Sequence, residues 1–121
     1  MLREKDLQTL AELGFCAVSM GNMLPARTIF NALAAARPGH EAPLMGLAMS
    51  HYMVDEFAAA EEILRGLMRD NPDFALAGVH LALCLILAGR KEEALPLLRE
   101  AGKRDDPLYG AMVAELTGLA S

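Results

Sequence analysis

The chain has 121 residues, of which 54% are hydrophobic and 22% are charged, and its net charge is −5. A chain of this length forms one domain with a modest core and is too short for two independent domains. Because phosphate binding needs clustered Lys and Arg, and the sequence has no basic stripe, the composition excludes a nucleic-acid partner.

The sequence shows no targeting or membrane-spanning segment. Its start, MLREKD, is charged and leads into no long apolar region, so we expect no signal peptide. The longest uncharged stretch, 74–89, has sixteen residues, whereas a spanning helix needs about 20. The two cysteines, Cys16 and Cys84, do not make the disulfide framework of a small secreted domain. We therefore expect a cytoplasmic protein.

Similar side chains recur along the chain at a spacing of 34 residues. Self-similarity at a fixed period of about 20 to 50 residues is typical of repeat proteins, in which each unit is one supersecondary structure. Pro38 and Pro72 close the first two units. Four columns keep the spacing over three copies: Leu13, Leu47 and Leu81; Gly14, Ala48 and Ala82; Ala26, Ala60 and Ala94; and Phe30, Leu64 and Leu98.

Each unit has the pattern of two helices. In the first unit, apolar residues from Leu10 to Ala17 recur at helical spacing, and the turn GNMLPA places Pro25 near the start of a second helix at 25–36. The Pro and Gly of ARPGH end that helix. The same pattern predicts the remaining helices at 41–54, 57–69, 74–88, 91–103 and 108–119.

The segment 74–89 carries no charge on any side. A surface helix of a globular protein is apolar over a stripe roughly 100° wide, so a segment that is apolar all round must be covered on more than one face. We expect one face to pack on the second helices of the units. Its other face needs a further cover.

The columns make the chain resemble a tetratricopeptide repeat protein: Gly or Ala at the eighth position of the unit, Ala at the twentieth, a large apolar residue at the twenty-fourth and Pro at the thirty-second. The resemblance implies a single all-α domain over residues 1–121, with repeats at about 7–40, 41–74 and 75–108. It implies an α-solenoid of three helix hairpins plus a C-terminal capping helix, about seven helices in total. The chain departs from the family's pattern at the fourth position, which has Leu10, Leu44 and Gly78 where an aromatic is often found. It also departs at Asp106, with Pro107 one place late, and at Pro96, which should bend the last second helix.

In this family the first helix of each hairpin lines a concave groove, so the resemblance also implies a binding surface. The family's groove positions carry over onto apolar residues, and the charges of the second helices, such as Arg27 and Glu61, are interpreted as a solvated face. An apolar, Met-rich groove of this size is typical of a site for an amphipathic helix or an extended apolar segment. The predicted protein-binding groove consists of Phe15, Val18, Met45, Met49, Tyr52, Met53, Val79, Leu83, Ile86 and Leu87.

The sequence is also similar to the small bacterial tetratricopeptide chaperones of type III secretion systems, through its length, its apolar first helices and the run Ala26–Ala48. That resemblance implies a non-enzymatic chaperone that holds an apolar or amphipathic segment of a protein client. Two other occupants of the groove stay open. A second copy would make the protein a homodimeric scaffold, and the closing helix, with apolar residues at Leu108, Met112, Val113, Leu116 and Leu119, would cover the groove in part.

The residue types of common catalytic and metal sites do not come together in the sequence. His40, His51 and His80 fall on different elements, and no cluster has metal-ligand spacing, so we predict no metal, no cofactor and no enzymatic activity. We expect His51 and His80 to be packed and hydrogen-bonded. Cys16, Ser50 and Cys84 share one repeat position, which indicates a small side chain at a helix crossing, too far apart for a disulfide.

Overall fold

The computed structural model describes residues 3–104 and 107–121, without the side chains of Leu108 and Tyr109. Within these residues the regular secondary structure is entirely helical, which confirms the all-α fold of three hairpins and a closing helix. The turn predicted at Asp105 and Asp106 and the side chain of Leu108 lie outside the described residues. The helices are α1 (Glu4–Ser19), α2 (Met23–Ala36), α3 (Glu41–Tyr52), α4 (Phe57–Asp70), α5 (Ala75–Leu87), α6 (Lys91–Ala101) and α7 (Pro107–Ala120).

The helices form two layers. The first helices contact one another in series, α1 with α3, α3 with α5, and α5 with α7. The second helices α2, α4 and α6 contact their neighbours in the chain, but within the described residues they do not contact one another. Helices that touch on one side and spread on the other make a curved array, so we call α1, α3, α5 and α7 the inner layer, and α2, α4 and α6 the outer layer.

The repeated small residues lie where the layers cross. Ala26, Ala60 and Ala94 are completely buried, because a side chain larger than a methyl group would hold the crossing helices apart. The large residue four places later fills the space beyond the crossing. Around Phe30 this packing is so tight that it leaves no room for side chains at Gly14 and Gly46. A Cβ on Gly14 would lie 2.7 Å from the Phe30 ring, and a Cβ on Gly46 would overlap the same ring.

The repeated Leu position, occupied by Leu13, Leu47 and Leu81, shows that one end of the solenoid is uncovered within the described residues. Leu81 is buried in the core shared by the second and third hairpins, and Leu47 packs against the cluster formed by α1 and α2. The equivalent Leu13 is 53% exposed, since no described hairpin precedes it. Cys16 is exposed on the same edge while Ser50 and Cys84 are buried, so the interpretation of that position as a helix crossing holds for the second and third repeats only.

Two equivalent ion pairs join neighbouring hairpins. Arg27 on α2 reaches the turn of the second hairpin and bonds Glu56 at 2.5 Å. Thirty-four residues later, Glu61 on α4 bonds Arg90 in the turn of the third hairpin at 2.7 Å. The interpretation of Arg27 and Glu61 as part of a solvated face was therefore wrong, because their side chains are only 22% and 18% exposed and connect the repeats.

Helix α5 is covered on several sides, as its uncharged sequence predicted. It contacts α3, α4, α6 and α7. Buried residues occur all round the helix: Ala77, Val79, Leu81, Ala82, Cys84 and Leu85. The neighbouring helix α6 continues through Pro96, which is exposed. Among the described residues, no helix has the length and apolar character to cross a bilayer.

Candidate functional site: a protein-binding groove

The ten predicted groove residues divide into three depths. Val18, Met45, Tyr52 and Val79 are buried. The side chains of Phe15, Met49, Leu83 and Ile86 are half-buried, whereas Met53 and Leu87 are 52% and 51% exposed. The buried four form the floor of the inner layer, and the other six have surface that another molecule can contact.

The half-buried side chains lie on the inner layer because of helical spacing. Val79, Leu83 and Ile86 follow one another at intervals of four and three residues on α5, so they form a single stripe. Met49 lies four residues after the buried Met45 on α3 in the same way. At the other end, Phe15 on α1 is fixed by edge-to-face packing on Phe30, with ring centroids 4.8 Å apart. The stripes are therefore held by the core while part of each side chain remains accessible.

Helix α7 extends the inner layer rather than covering it. It lies beside α5 as a further first helix would, and Val113 and Leu116 pack against the core. An apolar pocket of about 250 Å³ remains open between the two helices. We call it the α5–α7 pocket, and its walls are Val79, His80, Leu83, Met112, Glu115 and Leu116. Met112 and Leu116 were predicted only as part of a closing helix that would cover the groove, and Glu115 is not among the predicted groove residues.

The two histidines of the inner layer are hydrogen-bonded, as expected. His80 Nδ1 lies 2.9 Å from the Tyr52 hydroxyl, which links α5 to α3. Burial lowers the pKa of His80 and raises the pKa of Tyr52 to about 12, so both side chains are neutral near pH 7. His51 Nδ1 lies 2.8 Å from Glu56. The Tyr52 hydroxyl and the His80 imidazole at the floor of the groove thus satisfy each other and carry no charge near pH 7.

A second pocket, of about 270 Å³, lies at the opposite end of the inner layer, between α1 and the start of α3. Its walls include Gln8, Ala11 and Ala42, which occupy groove positions of their repeats. An ion pair between Glu4 and Arg37 lies at its margin. The inner layer therefore has a recess at each end, and only the α5–α7 pocket has almost entirely apolar walls.

The described residues contain no group of three or more His, Cys, Asp or Glu that could hold a metal ion. Both cysteines are free, with Cys16 exposed and Cys84 buried. Burial, the main cause, raises the pKa of the Cys84 thiol, which makes it a poor nucleophile. The arrangement is suited to binding an apolar surface.

A second apolar surface lies on the edge of α1, away from the groove. It consists of Leu13 and Cys16 on α1, Met20 at the C-terminal cap of α1 and Leu24 in the first turn of α2, all exposed, and we call it the α1 edge. In the next two repeats, the positions of Leu13 and Cys16 are covered by the preceding hairpin. This surface was not predicted, and the repeated Leu position, shared by Leu13, Leu47 and Leu81, was the signal that could have indicated it.

The fold and the sequence have relatives among known proteins. The chain resembles the structure of the type III secretion translocator chaperone SycD of Yersinia enterocolitica, with a TM-score of 0.81 and 18% identity over 99% of this chain and 84% of that one. At this identity the likeness shows the fold alone. Among curated proteins, no sequence matches the chain. The family model described as tetratricopeptide repeat matches residues 52–116, and since this is more than half of the chain, the protein belongs to the tetratricopeptide repeat family.

Proposed function

We propose that this protein is a non-enzymatic chaperone of the cytoplasm that holds an apolar or amphipathic helical segment of a client protein in the groove of its inner layer. The observation that carries the proposal is the row of half-buried apolar side chains Phe15, Met49, Leu83 and Ile86. Each is fixed by the core and has no cover within the described residues. The fold that the chain shares with SycD, by name a translocator chaperone, supports the same role here.

Binding would be passive and driven by the removal of apolar surface from water. Each Å² of apolar area buried against the client contributes about 25 cal/mol before the costs of association are subtracted. Met49, Met53 and Met112 provide flexible, polarizable side chains, which adapt to clients of differing shape. We therefore expect a modest affinity and a tolerance for different apolar sequences, as a holding chaperone requires.

The test replaces one apolar groove residue by a carboxylate. Leu83→Glu and Met49→Glu should each remove client binding, because a charge in the groove must lose its water when an apolar segment is laid over it. The matched control is Leu24→Glu, which places the same charge on the exposed α1 edge. Tagged versions of the wild type and the three variants are used to recover clients from the native cell, and circular dichroism verifies that helix content is unchanged.

The expected result is a client that is recovered with the wild type and with Leu24→Glu and is lost with both groove variants. Recovery of the same client with all four proteins would contradict the proposal. Light scattering on the purified proteins measures their oligomeric state and so distinguishes the chaperone from the homodimeric scaffold. If the wild type is a dimer that Leu83→Glu converts into a monomer, the groove serves self-association and the chaperone role is wrong.

A further inference from the structure

The charge of the protein is concentrated on the layer that forms the groove. Helices α1, α3, α5 and α7 contain five carboxylates and one ammonium group, so their net charge is −4 out of the −5 of the whole chain. The carboxylates are on Glu4, Asp6, Glu12, Glu41 and Glu115, and the ammonium group is on Lys5. Glu4 is paired with Arg37, and the remaining carboxylates leave the inner layer with a net negative charge beside its apolar side chains, which attracts a cationic partner.

One of these carboxylates, on Glu115, belongs to a residue at the margin of the α5–α7 pocket. Among the described residues that form its walls, Glu115 is the only one with a formal charge. The neighbouring His80 is buried and its pKa is lowered, so near pH 7 it places no positive charge beside the carboxylate. Glu115 is exposed, and it makes no ion pair within the part of the chain that the structure describes.

We propose that the α5–α7 pocket is the anchor point of the groove and that it selects a cationic amphipathic helix. One large apolar side chain of the client enters the pocket between Leu83 and Met112, and a Lys or Arg about one turn away, where the polar face of the client helix borders its apolar face, pairs with Glu115. Side chains three or four residues apart on a helix lie side by side. A client side chain in the pocket therefore places a cation one turn away close to Glu115 at the margin of the pocket. This inference rests on the proposed function, since it concerns the client of the same groove.

The same charge argues against a second copy as the occupant. Two inner layers placed face to face would each contribute a net charge of −4, and like charges across an interface disfavour the pairing. A cationic helix has the opposite effect, because its charge is complementary to the field and the exclusion of water around the apolar anchor strengthens the pairing with Glu115.

The test uses three synthetic amphipathic helical peptides that share one apolar face of Leu and Ala. Their polar faces carry Arg, Gln or Glu, so they differ only in charge. Affinities are measured by fluorescence anisotropy at low and at high salt for the wild type, Glu115→Gln and Glu115→Lys. The matched control is Glu62→Gln on the outer layer, where Glu62 is exposed. It changes the net charge by the same amount as Glu115→Gln.

We expect the Arg peptide to bind the wild type roughly tenfold more tightly than the Gln peptide at low salt, with the preference decreasing as salt screens the pairing. Glu115→Gln should remove most of this preference, Glu62→Gln should leave it, and Glu115→Lys should reverse it in favour of the Glu peptide. The Gln peptide should bind the wild type and both Gln variants equally. Circular dichroism on each variant verifies the fold.

Two results would overturn the inference while the proposed function stands. One is equal binding of the Arg and Gln peptides to the wild type. The other is an equal effect of Glu115→Gln and Glu62→Gln, which would show that the preference for the Arg peptide comes from the net charge of the protein and not from Glu115. Failure of all three peptides to bind would instead contradict the proposed function of the groove, and the inference with it.

Discussion

The inner and outer layers use their side chains in opposite ways. In the outer layer, Arg27 and Glu61 are bonded to the next hairpin, so these charges hold the repeats in register. In the inner layer, Met49, Leu83 and Ile86 are held by the core but keep part of their surface uncovered. If the inner layer binds a client as proposed, stability and binding are carried by different helices. Substitutions should separate the two properties.

Within the outer layer, the two equivalent ion pairs have opposite polarity. The helix contributes the cation Arg27 at the first junction and the anion Glu61 at the second, while the turns contribute Glu56 and Arg90. The repeat therefore requires a paired charge at this place and does not require a particular sign. Four predictions follow the contrast between the layers from the largest expected change in stability to the smallest.

Phe30→Ala should have the largest effect on folding. The ring fills the space between Gly14 and Gly46, which have no side chains to fill the cavity left behind. Truncation of a buried Phe costs about 3–5 kcal/mol, measured as the loss of unfolding free energy in urea. Leu24→Ala on the exposed α1 edge is the control and should change stability by less than about 0.5 kcal/mol. Similar losses for both variants would show that the crossing is not tightly packed.

Arg27→Met should have the next largest effect. The guanidinium donates to the Ser50 carbonyl at 2.8 Å and to its hydroxyl at 3.0 Å, in addition to its ion pair. Because Ser50 is completely buried, removing the donor leaves its carbonyl without this partner, whereas its hydroxyl still donates to the Leu47 carbonyl; the expected cost is about 1–3 kcal/mol. Arg65→Met, which removes a pair within α4 whose Arg65 side chain is 51% exposed, is the matched control and should cost less than about 1 kcal/mol. Equal losses of stability for Arg27→Met and Arg65→Met would show that Arg27 contributes no more than an ordinary surface ion pair.

The unfolding free energy should decrease in two stages as the pH is lowered. The first stage comes from a histidine of the inner layer, and the second comes from the carboxylates of the ion pairs that join the hairpins. Burial lowers the pKa of His80 below its ordinary 6.5, so the unfolded chain takes up the proton first and stability decreases as the pH falls below about 6.5. Hydrogen bonds from His51 and Arg27 lower the pKa of Glu56, and bonds from Arg90 lower that of Glu61. The stability from these carboxylates is present above their ordinary value of 4.5 and is lost as the pH falls below it.

Urea denaturation at a series of pH values measures both stages. His80→Asn should remove the first decrease and leave the second, whereas Arg27→Met should weaken the second and leave the first. A wild-type stability that is constant between pH 7 and pH 5 would contradict the account of the buried imidazole.

Leu87→Ser should have the smallest effect on stability. The side chain is 51% exposed at the end of α5, so its loss should change the unfolding free energy by less than about 0.5 kcal/mol. If the inner layer binds a client, the same substitution should weaken binding of the amphipathic Arg peptide severalfold. A large loss of stability with unchanged binding would place Leu87 among the core residues.

The sequence predicted the fold because the information was local and periodic. The spacing of Ala26, Ala60 and Ala94 identified the hairpins, and their complete burial follows from the same spacing. The ion pair of Arg27 and Glu56 was missed because it joins residues 29 positions apart, and no pattern within one helix indicates which turn a side chain reaches.

The depth of the groove residues could not be predicted in the same way. Met45 and Met49 share one stripe, yet Met45 is buried and Met49 is half-buried, because the packing of neighbouring helices decides how far each side chain protrudes. The α5–α7 pocket depends on where α7 lies against α5, and the repeated positions of the sequence do not predict that placement. The involvement of Glu115 therefore became visible only in the structure.

The most direct test of the central claim is an NMR titration with ¹³C-labelled methionine methyl groups, using the amphipathic Arg peptide. The methionines sample both layers and the uncovered end: Met49 and Met112 lie on the inner layer, Met68 on α4, and Met20 on the α1 edge. The account predicts that the signals of Met49 and Met112 shift on binding while those of Met68 and Met20 do not. Shifts at Met20 with none at Met49 and Met112 would contradict it and would place the binding surface on the α1 edge.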